Sequence, residues 1–279
     1  MESLEPGLCR DIVRRALAED LGWGDVTTQA AIPPETRATG VFVARSSVVV
    51  AGLDAAFEAF RQLDPTVTMT ADRHDGDICG PDDRLATVSG LAAPLLTAER
   101  TALNFLRHLS GVATLTRQFV DASAGRIQIA DTRKTLPLLR ALQKYAVRAG
   151  GGVNGRLTLD ERVILKANHL RVAGGVRTAV ERVRAAHTDV PVQVEITSAV
   201  EAIEALDGGA AVIICRASRL DLVREAVRLC AGRARVEVSG TVSLDQIAEL
   251  AATGADFVSI GLLTESAAAA DITFDLRPV

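Results

Sequence analysis

The amino-acid sequence predicts an α/β fold whose second half is built from βα units around a parallel sheet. Short apolar runs rich in β-branched residues alternate there with Ala-, Arg- and Glu-rich helical patterns. Polar residues cluster where the apolar runs end, and in a βα barrel the carboxyl ends of the strands carry the chemistry. No GxGxxG motif follows the first run, which disfavours a dinucleotide-binding fold. The candidate strands are 126–131, 163–166, 192–195, 211–215, 236–239 and 257–261.

The first part of the chain has a less regular pattern. Its predicted elements are helices at 5–19 and 94–109 and a strand at 38–50. The terminal segment 270–279 predicts a strand that returns to this first lobe. We therefore expect an N-terminal lobe of residues 1–112, rejoined by 270–279, and a barrel domain of residues 113–269.

The composition disfavours several classes of protein. Of 279 residues, 35 are acidic and 31 basic, so the net charge of −4 gives no electrostatic footprint for nucleic acid or anionic membrane. No window approaches the roughly 18 to 20 apolar residues of a membrane span, and residues 1–15 lack an apolar signal region. The cysteines form no CxxC pair, which disfavours a disulfide framework or a thiolate zinc site; they are Cys9, Cys79, Cys215 and Cys230. We expect a cytoplasmic protein.

The densest group of basic residues lies at the end of the first candidate strand. Arg133 and Lys134 stand there within Asp131–Thr135, and the next predicted helix adds Arg140, Lys144 and Arg148. Arg offers a planar bidentate fork and Lys a compact charge, so this pair predicts carboxylate or phosphate binding. The helical residues fit a solvated helix face equally well.

Two glycine-bearing segments are candidate anion cradles. Residues 150–155 are glycine-rich and are followed at once by Arg156, so that backbone amides can approach an anion closely. A flexible connector is the alternative for this segment. Residues 239–241 and 261–264 end the last two candidate strands, where phosphate sites recur in barrel folds.

Lys166 and Glu195 end adjoining candidate strands, and His169 follows Lys166 closely. The lysine and glutamate fit either a paired site that orients an anionic substrate or a structural ion pair. No HExxH or similar ligand cluster is present, so the sequence predicts no metal held by protein side chains.

Six segments form an ordered set of motifs along almost the whole chain. They are EDLGWGDVT at 19–27, LLTAERTALNFL at 95–106, LSGVAT at 109–114, DTRKT at 131–135, KYAVR at 144–148 and GGGVN at 150–154. This set resembles the successive motifs of quinolinate phosphoribosyltransferases, the decarboxylating nicotinate-nucleotide pyrophosphorylases. The DTRKT and TAERTALNFL segments are highly specific.

The resemblance implies an N-terminal open-faced α/β sandwich, an incomplete parallel α/β barrel, and a homodimer in which one subunit's N-terminal lobe helps to close the partner's site. It also implies transfer of ribose 5-phosphate from phosphoribosyl pyrophosphate to quinolinate, with magnesium, and release of pyrophosphate and carbon dioxide. Three groups of residues follow by matching position: catalytic Lys134, Lys166 and Glu195; substrate-binding Arg100, Arg133, Arg156, Lys166 and His169; and phosphate-binding Lys134, Ser239, Gly240, Thr241 and Gly261.

The chain departs from the family pattern on the same predicted face. The departures are Gly155 for His in Asn-His-Arg, Ala167 for Asp in Lys-Asp-Asn-His, Cys215-Arg216 for Asp-Asn, Thr241 for Gly in Ser-Gly-Gly, and Glu265 for His in Leu-Thr-His-Ser. The change at Cys215-Arg216 replaces a carboxylate expected near magnesium with a thiol beside a guanidinium. It predicts weak or no magnesium-dependent transfer, or a guanidinium that replaces the metal.

Three functional hypotheses fit these observations. The first is phosphoribosyl transfer to quinolinate or a related pyridine carboxylate, with magnesium brought by the donor and weakened by Cys215 and Arg216. The second keeps the carboxylate pocket and changes the acid, the donor or the reaction. The third is a non-catalytic paralogue that binds a small molecule or a partner.

Overall fold

The computed structural model describes residues 5–187 and 189–279, and the chain folds into two compact units. The first unit comprises the chain up to Arg117 together with Leu136–Gly151 and Ser266–Val279. The second comprises Gln118–Thr135 and Gly152–Glu265. The division at residues 112 and 113 stays a prediction about independent domains, because compactness alone does not show which segments fold independently.

The first unit contains a four-stranded antiparallel sheet with strand order β12-β1-β5-β3, and a separate pair formed by β2 and β4. Its strands are β1 (Arg37–Ala44), β2 (Val48–Val49), β3 (Thr68–Ala71), β4 (Ile78–Cys79), β5 (Arg84–Leu91) and β12 (Ile272–Pro278). Its helices are α1 (Pro6–Leu21), α2 (Val26–Ala31), α3 (Leu53–Leu63), α5 (Arg140–Ala149) and the greater part of α4 (Ala92–Ser123). The terminal strand pairs with β1 along its length, from Ala38 opposite Pro278 to Ala44 opposite Ile272.

Three phenylalanines join the helices of the first unit to its sheet. The Phe42 ring of β1 lies 4.7 Å from the Phe274 ring of β12 and 6.0 Å from the Phe60 ring of α3, centroid to centroid. Gly40 makes room for Phe274, since a Cβ at Gly40 would stand 1.9 Å from the ring. These contacts bury large apolar area with favourable ring geometry.

Two predicted elements of the first unit differ from the structure. The strand predicted at 38–50 is divided into β1 and β2 by a bend at Arg45 and Ser46, where the Arg45 side chain pairs with Asp82 and Asp275. The helix predicted at 94–109, with a run that continues to Arg117, is the single helix α4, which begins at Ala92 and ends at Ser123. Gly111 lies within it and allows close packing, since an added Cβ would meet the Ala268 carbonyl oxygen at 2.0 Å.

Asp75 links three parts of the first unit. Its carboxylate accepts hydrogen bonds from the Gly52 and Leu53 amides at the start of α3, at 2.8 and 3.3 Å, and from the Tyr145 hydroxyl of α5 at 2.8 Å. Burial raises the pKa of Asp75 above its usual range. Tyr145 is 5% exposed, so α5 is held by a shielded polar contact as well as by apolar packing.

A Tyr145→Phe variant is expected to lose about 1–3 kcal/mol of unfolding free energy, because the shielded Asp75 carboxylate would lose a hydrogen-bond donor. Urea denaturation followed by circular dichroism measures the change. Asp75→Asn and the double variant complete a cycle that isolates this contact. An unchanged midpoint for Tyr145→Phe would show that water or another donor replaces the hydroxyl without loss.

The second unit is a six-stranded parallel sheet with strand order β6-β11-β10-β9-β8-β7. Its strands are β6 (Gln128–Ala130), β7 (Val163–Leu165), β8 (Val192–Glu195), β9 (Val212–Arg216), β10 (Arg235–Gly240) and β11 (Phe257–Ile260). The helices between them are α6 (Ala167–Ala173), α7 (Val176–Ala186), α8 (Ala199–Asp207), α9 (Leu220–Cys230), α10 (Ile247–Ala251) after a 3-10 turn (Leu244–Gln246), and α11 (Leu262–Glu265).

The sheet of the second unit confirms the predicted fold class. Each of the six candidate strands is present within two residues of its predicted bounds and pairs in parallel with its neighbours. Strands β6 and β7 stand at the two ends of the order and do not pair with each other, so the barrel is incomplete. Within the described residues, none of the helices combines the length and the apolar character needed to cross a membrane.

Candidate active site

A cavity of about 1030 Å³ lies against the concave face of the second unit's parallel sheet. The register of the strands explains which residues face the cavity, since residues paired across neighbouring strands have their side chains on the same face of the sheet. One row across the strands contains Glu195, Ile214, Glu237 and Phe257. The next row, nearer the carboxyl ends, contains Arg216, Ser239 and Ser259. All seven residues line the cavity.

Three arginines create a strongly positive side of this cavity. The Nε of Arg133 is buried and, among the described residues, has no hydrogen-bond partner. Arg156 donates from Nη1 to the Arg162 carbonyl oxygen at 2.9 Å. Burial and the positive charges of Arg133 and Arg162 lower the pKa of Arg156. Clustered guanidiniums with an unsatisfied donor are suited to an anion with more than one negative charge.

Arg162 is a cavity residue that the sequence motifs did not indicate. It precedes β7, and Arg162, Ile164 and Lys166 all line the cavity. A signal was present: counting back from Lys166 in steps of two along the strand places Ile164 and then Arg162 on the same face. The structure thus brings together Arg133, Arg156 and Lys166 as predicted, with Arg162 as a further cation.

The glycine-rich segment does not offer all its amides to a ligand. The Asp131 carboxylate accepts a hydrogen bond from the Gly155 amide at 2.8 Å and from the Asn154 side chain at 2.5 Å. Val153 forms a bridge with Ala130 of β6. A Cβ at Gly155 would stand 2.8 Å from the Asp131 carbonyl oxygen, so a larger residue requires a shift of the backbone. Asp131 therefore fixes this segment and positions Arg156 just after it.

The residues of the predicted phosphate cradle lie at and near the ends of β10 and β11, and their phosphate-binding role stays a prediction. Ser239, Gly240, Thr241, Gly261 and Lys134 all line the cavity. Gly240 has a φ of 138°, a conformation open mainly to glycine. The Thr264 hydroxyl donates to the Lys134 carbonyl oxygen at 2.6 Å and holds the lysine's backbone.

Gly261 leaves room for two neighbouring side chains. Its missing Cβ would lie 2.8 Å from Cδ of Lys134 and 3.3 Å from each Glu265 carboxylate oxygen. A carboxylate thus stands beside the predicted phosphate position, where the family pattern has a histidine. An anionic group bound there must displace it or share Lys134 with it.

Several residues singled out from the sequence lie outside the cavity wall. Arg100, Arg140, Lys144 and Arg148 belong to the first unit. Lys144 is 2% exposed, so the alternative of a solvated helix face is wrong for this residue, because α5 is packed inside that unit. The His169 Nδ1 accepts a hydrogen bond from the Lys166 amide at 3.1 Å, which caps α6. Its predicted substrate contact stays a prediction.

The side chain of Cys215 lies on the face of β9 opposite the Ile214 and Arg216 side chains, although the residue itself borders the cavity. It stands between Ile214 and Arg216, whose side chains face the cavity, and is completely buried. Burial, reinforced by the neighbouring Cys230 of α9, raises the pKa of the Cys215 thiol to about 12. Cys215 is therefore a packing residue between the strand and helix layers.

Glu237 is one of four carboxyl groups that line the cavity, together with Asp131, Glu161 and Glu195. Burial raises its pKa above the usual range, while the Ser259 hydroxyl and the charges of Arg162 and Lys166 act in the opposite direction. Because the folded-state pKa lies above the unfolded value, the group is neutral at low pH and becomes a carboxylate as pH rises through the raised pKa. The free energy of unfolding that Glu237 contributes through its raised pKa is therefore present at low pH and is lost as the pH rises through that pKa.

Affinity for an aromatic dicarboxylate is therefore expected to fall by about tenfold as the pH rises through the raised pKa of Glu237, because a new negative charge appears beside the anion. Calorimetric titration over a pH series measures it. Glu237→Gln is expected to remove this pH dependence. Glu161→Gln is the matched control, since hydrogen bonds from Leu157 and Thr158 lower the pKa of that cavity-lining carboxyl. Equal pH profiles for wild type and Glu237→Gln would contradict the assignment.

The chain matches descriptions of a single family over nearly its whole length. Residues 25–110 match the quinolinate phosphoribosyl transferase N-terminal domain, and residues 112–275 match the C-terminal domain of the same family. The chain is 42% identical over 280 residues to the nicotinate-nucleotide pyrophosphorylase (carboxylating) of Mycobacterium leprae, with 96% of each chain covered. It is 37% identical over 269 residues to a probable enzyme of the same name from Bacillus subtilis, covering 96% of this chain and 93% of that one.

Solved structures agree with these sequence matches. NadC from Streptococcus pyogenes shares 37% identity and a TM-score of 0.96, with 100% of both chains covered. The nicotinate-nucleotide pyrophosphorylase from Francisella tularensis shares 34% identity and a TM-score of 0.94, with 99% of this chain and 98% of that chain covered. The chain belongs to the quinolinate phosphoribosyl transferase family.

Proposed function

We propose that this protein is a decarboxylating phosphoribosyltransferase that joins the ribose 5-phosphate of phosphoribosyl pyrophosphate to the ring nitrogen of quinolinate. The products are nicotinate mononucleotide, pyrophosphate and carbon dioxide. The observation that carries the proposal is the buried Nε of Arg133, which has no hydrogen-bond partner among the described residues and stands beside the guanidinium of Arg156. A guanidinium with a free donor is suited to a carboxylate, and quinolinate is a planar dicarboxylate. The names of the relatives agree with this assignment.

The proposed chemistry follows from charge. The ring nitrogen forms a bond to the anomeric carbon as the bond from that carbon to pyrophosphate breaks. The ring then carries a positive charge, so it accepts the electron pair left when the adjacent carboxylate departs as carbon dioxide. The ring carbon finally takes up a proton. Arg133, Arg156 and Lys166 hold the acid in place, and the protein contributes orientation and preorganised charge.

On the donor side, Lys134 and the residues at the ends of β10 and β11 would receive phosphate groups. Lys134 is a point charge on a flexible stem, and Ser239 and Thr241 add hydroxyl donors on the cavity wall. Glu195 lies on the same wall, one strand from Arg216, where it can accept hydrogen bonds from ribose hydroxyls. The main contribution of these residues to catalysis is to orient two anionic substrates in one cavity.

A second candidate function is supported by Arg162 and Glu265. Arg162 adds a cation to the acid-binding side, and the Glu265 carboxylate stands beside Gly261 in the phosphate cradle. These two residues favour a related heteroaromatic acid, or an altered donor, over quinolinate and phosphoribosyl pyrophosphate. The retained carboxylate pocket is common to both candidates.

We also propose a homodimer in which one subunit's first unit, with Arg100, helps to close the partner's cavity. The fully exposed Trp23 ring and the 76% exposed Val26 support it, because isolated apolar groups of this size gain from burial against a second chain. A reducing cytoplasmic setting agrees with four free, buried cysteines. Analytical ultracentrifugation would show the dimer, and a monomer at all concentrations would contradict it.

The decisive experiment is incubation of the purified protein with quinolinate and phosphoribosyl pyrophosphate, with and without magnesium, followed by chromatographic detection of nicotinate mononucleotide. Nicotinate in place of quinolinate is the control acid, since it lacks the carboxylate that leaves. Formation of the nucleotide with quinolinate, and not with nicotinate, supports the proposal. A nucleotide formed only from another pyridine acid supports the second candidate, and absence of quinolinate binding contradicts the first.

A further inference from the structure

Arg216 occupies a specific place at the mouth of the cavity. It ends β9, lies beside Ser239 of β10 in the register, and faces the cavity. Its Nε donates a hydrogen bond to Oε1 of Glu195 at 3.3 Å. The Glu195 side chain is 15% exposed and that of Arg216 is 66% exposed, so the carboxylate is the shielded member and anchors the guanidinium.

The anchored guanidinium has donors left over. Within the residues that the structure describes, Glu195 uses only the Nε of Arg216, and the two terminal nitrogens have no hydrogen-bond partner. A guanidinium presents its remaining N–H groups as a planar fork that matches phosphate oxygens. The neighbouring residues on the same wall are Ser239, Gly240 and Thr241, the predicted phosphate cradle.

The same residues do not fit a magnesium ion at this position. Magnesium prefers oxygen ligands, above all carboxylates, and needs nearby negative charge. Glu195 is neutralised by Arg216, and Cys215 is buried on the opposite face of the strand. Across residues 5–187 and 189–279 no cluster of three or more His, Cys, Asp or Glu side chains could hold a metal. A cation from solvent would also meet the positive charge of Arg216.

We propose that Arg216, oriented by Glu195, neutralises the diphosphate of the phosphoribosyl donor, so that donor binding needs no divalent cation. The identity of the donor rests on the proposed function. The guanidinium of Arg216 supplies the positive charge that a metal ion would otherwise bring. It lies at the end of β9, beside the predicted phosphate cradle at the end of β10. No bond is made or broken by Arg216.

The test measures binding of phosphoribosyl pyrophosphate, and separately of inorganic pyrophosphate, by calorimetry in EDTA and in magnesium. Wild type is expected to bind both in EDTA, with affinity for the donor within about threefold of that in magnesium. Arg216→Ala is expected to weaken binding in EDTA by about tenfold or more. Arg216→Lys is expected to restore part of the loss. Arg219→Ala is the matched control, because that exposed arginine pairs with Asp221 and should leave affinity unchanged.

Failure of this inference and failure of the proposed function give different results. Nucleotide formation that requires magnesium, with no donor binding in EDTA, overturns the role of Arg216 and leaves the function intact. Arg216-dependent donor binding in EDTA without any nucleotide product supports the role of Arg216 and contradicts the function. Unchanged binding by Arg216→Ala, or no donor binding under either condition, overturns the inference.

Discussion

An Arg133→Ala variant is expected to bind quinolinate at least about a hundredfold more weakly than wild type while keeping its fold. The Arg133 Nε is buried and has no hydrogen-bond partner within residues 5–187 and 189–279, so its N–H is available to a ligand. Bonds of this kind contribute about 1.5–3 kcal/mol each, and a guanidinium forms two with one carboxylate. Loss of an unpaired charge leaves no buried partner behind, which is why stability is expected to be preserved.

Calorimetric titration with quinolinate measures this loss, and circular dichroism checks the fold. Lys166→Ala is expected to act in the same direction, since Lys166 lies on the same wall. The matched control is Arg171→Ala, because Arg171 is an exposed helical arginine that contacts Asn168 and does not line the cavity. If Arg133→Ala or Lys166→Ala bound quinolinate within about twofold of wild type, the acid-binding pocket would be misassigned.

A Gly150→Ala variant is expected to lower the free energy of unfolding by about 3 kcal/mol, the upper range for overpacking of a filled site. The added Cβ would stand 2.3 Å from the Ala113 carbonyl oxygen and 2.7 Å from the Thr116 Cβ, both in helix α4. Gly150 follows the end of α5, so a clash with helical backbone cannot be relieved by rotation of a side chain.

Urea denaturation compares this variant with Gly80→Ala, a glycine in the same unit whose nearest neighbour to an added Cβ is 3.9 Å away. Equal midpoints for the two variants would show that α5 moves freely against α4. The expected result assigns the first glycine of the GGGVN segment to helix packing. The sequence of that segment predicts an anion cradle, but its first glycine is then required for packing of α5 against α4.

The parallel sheet could be predicted from sequence because its strands are short, apolar and β-branched, and because their spacing matches βα units. The polar strand ends were predictable for the same reason: carboxyl ends of parallel strands meet at one edge. The positions of Lys166, Glu195 and Ser239 at strand ends were therefore sufficient to make them candidates. The division of residues 38–50 was harder to predict, because the Arg45 side chain at the bend pairs with acidic residues that are distant in the sequence.

The orientation of single side chains was harder to predict. A step of one residue turns a strand side chain to the opposite face, and this separates buried Cys215 from cavity-facing Arg216. The sequence pattern treated the two as one altered pair. Arg162 was missed because it precedes its strand and belongs to no motif. The burial of Lys144 depends on the packing of a whole helix, which local patterns do not contain.

The pairing of β12 with β1 has a consequence for biosynthesis. Arg45 and Thr273, which form a hydrogen bond across these strands, are separated by 228 positions in the sequence. During translation the four-stranded sheet therefore lacks its outer strand until the entire parallel sheet has left the ribosome. Through that interval the β1 edge stays unpaired and the Phe42 ring lacks Phe274, and an open strand edge is a template for pairing with another nascent chain. Capture of the nascent chain by a chaperone at this stage is expected to affect the yield of folded protein more than the stability of the finished molecule does.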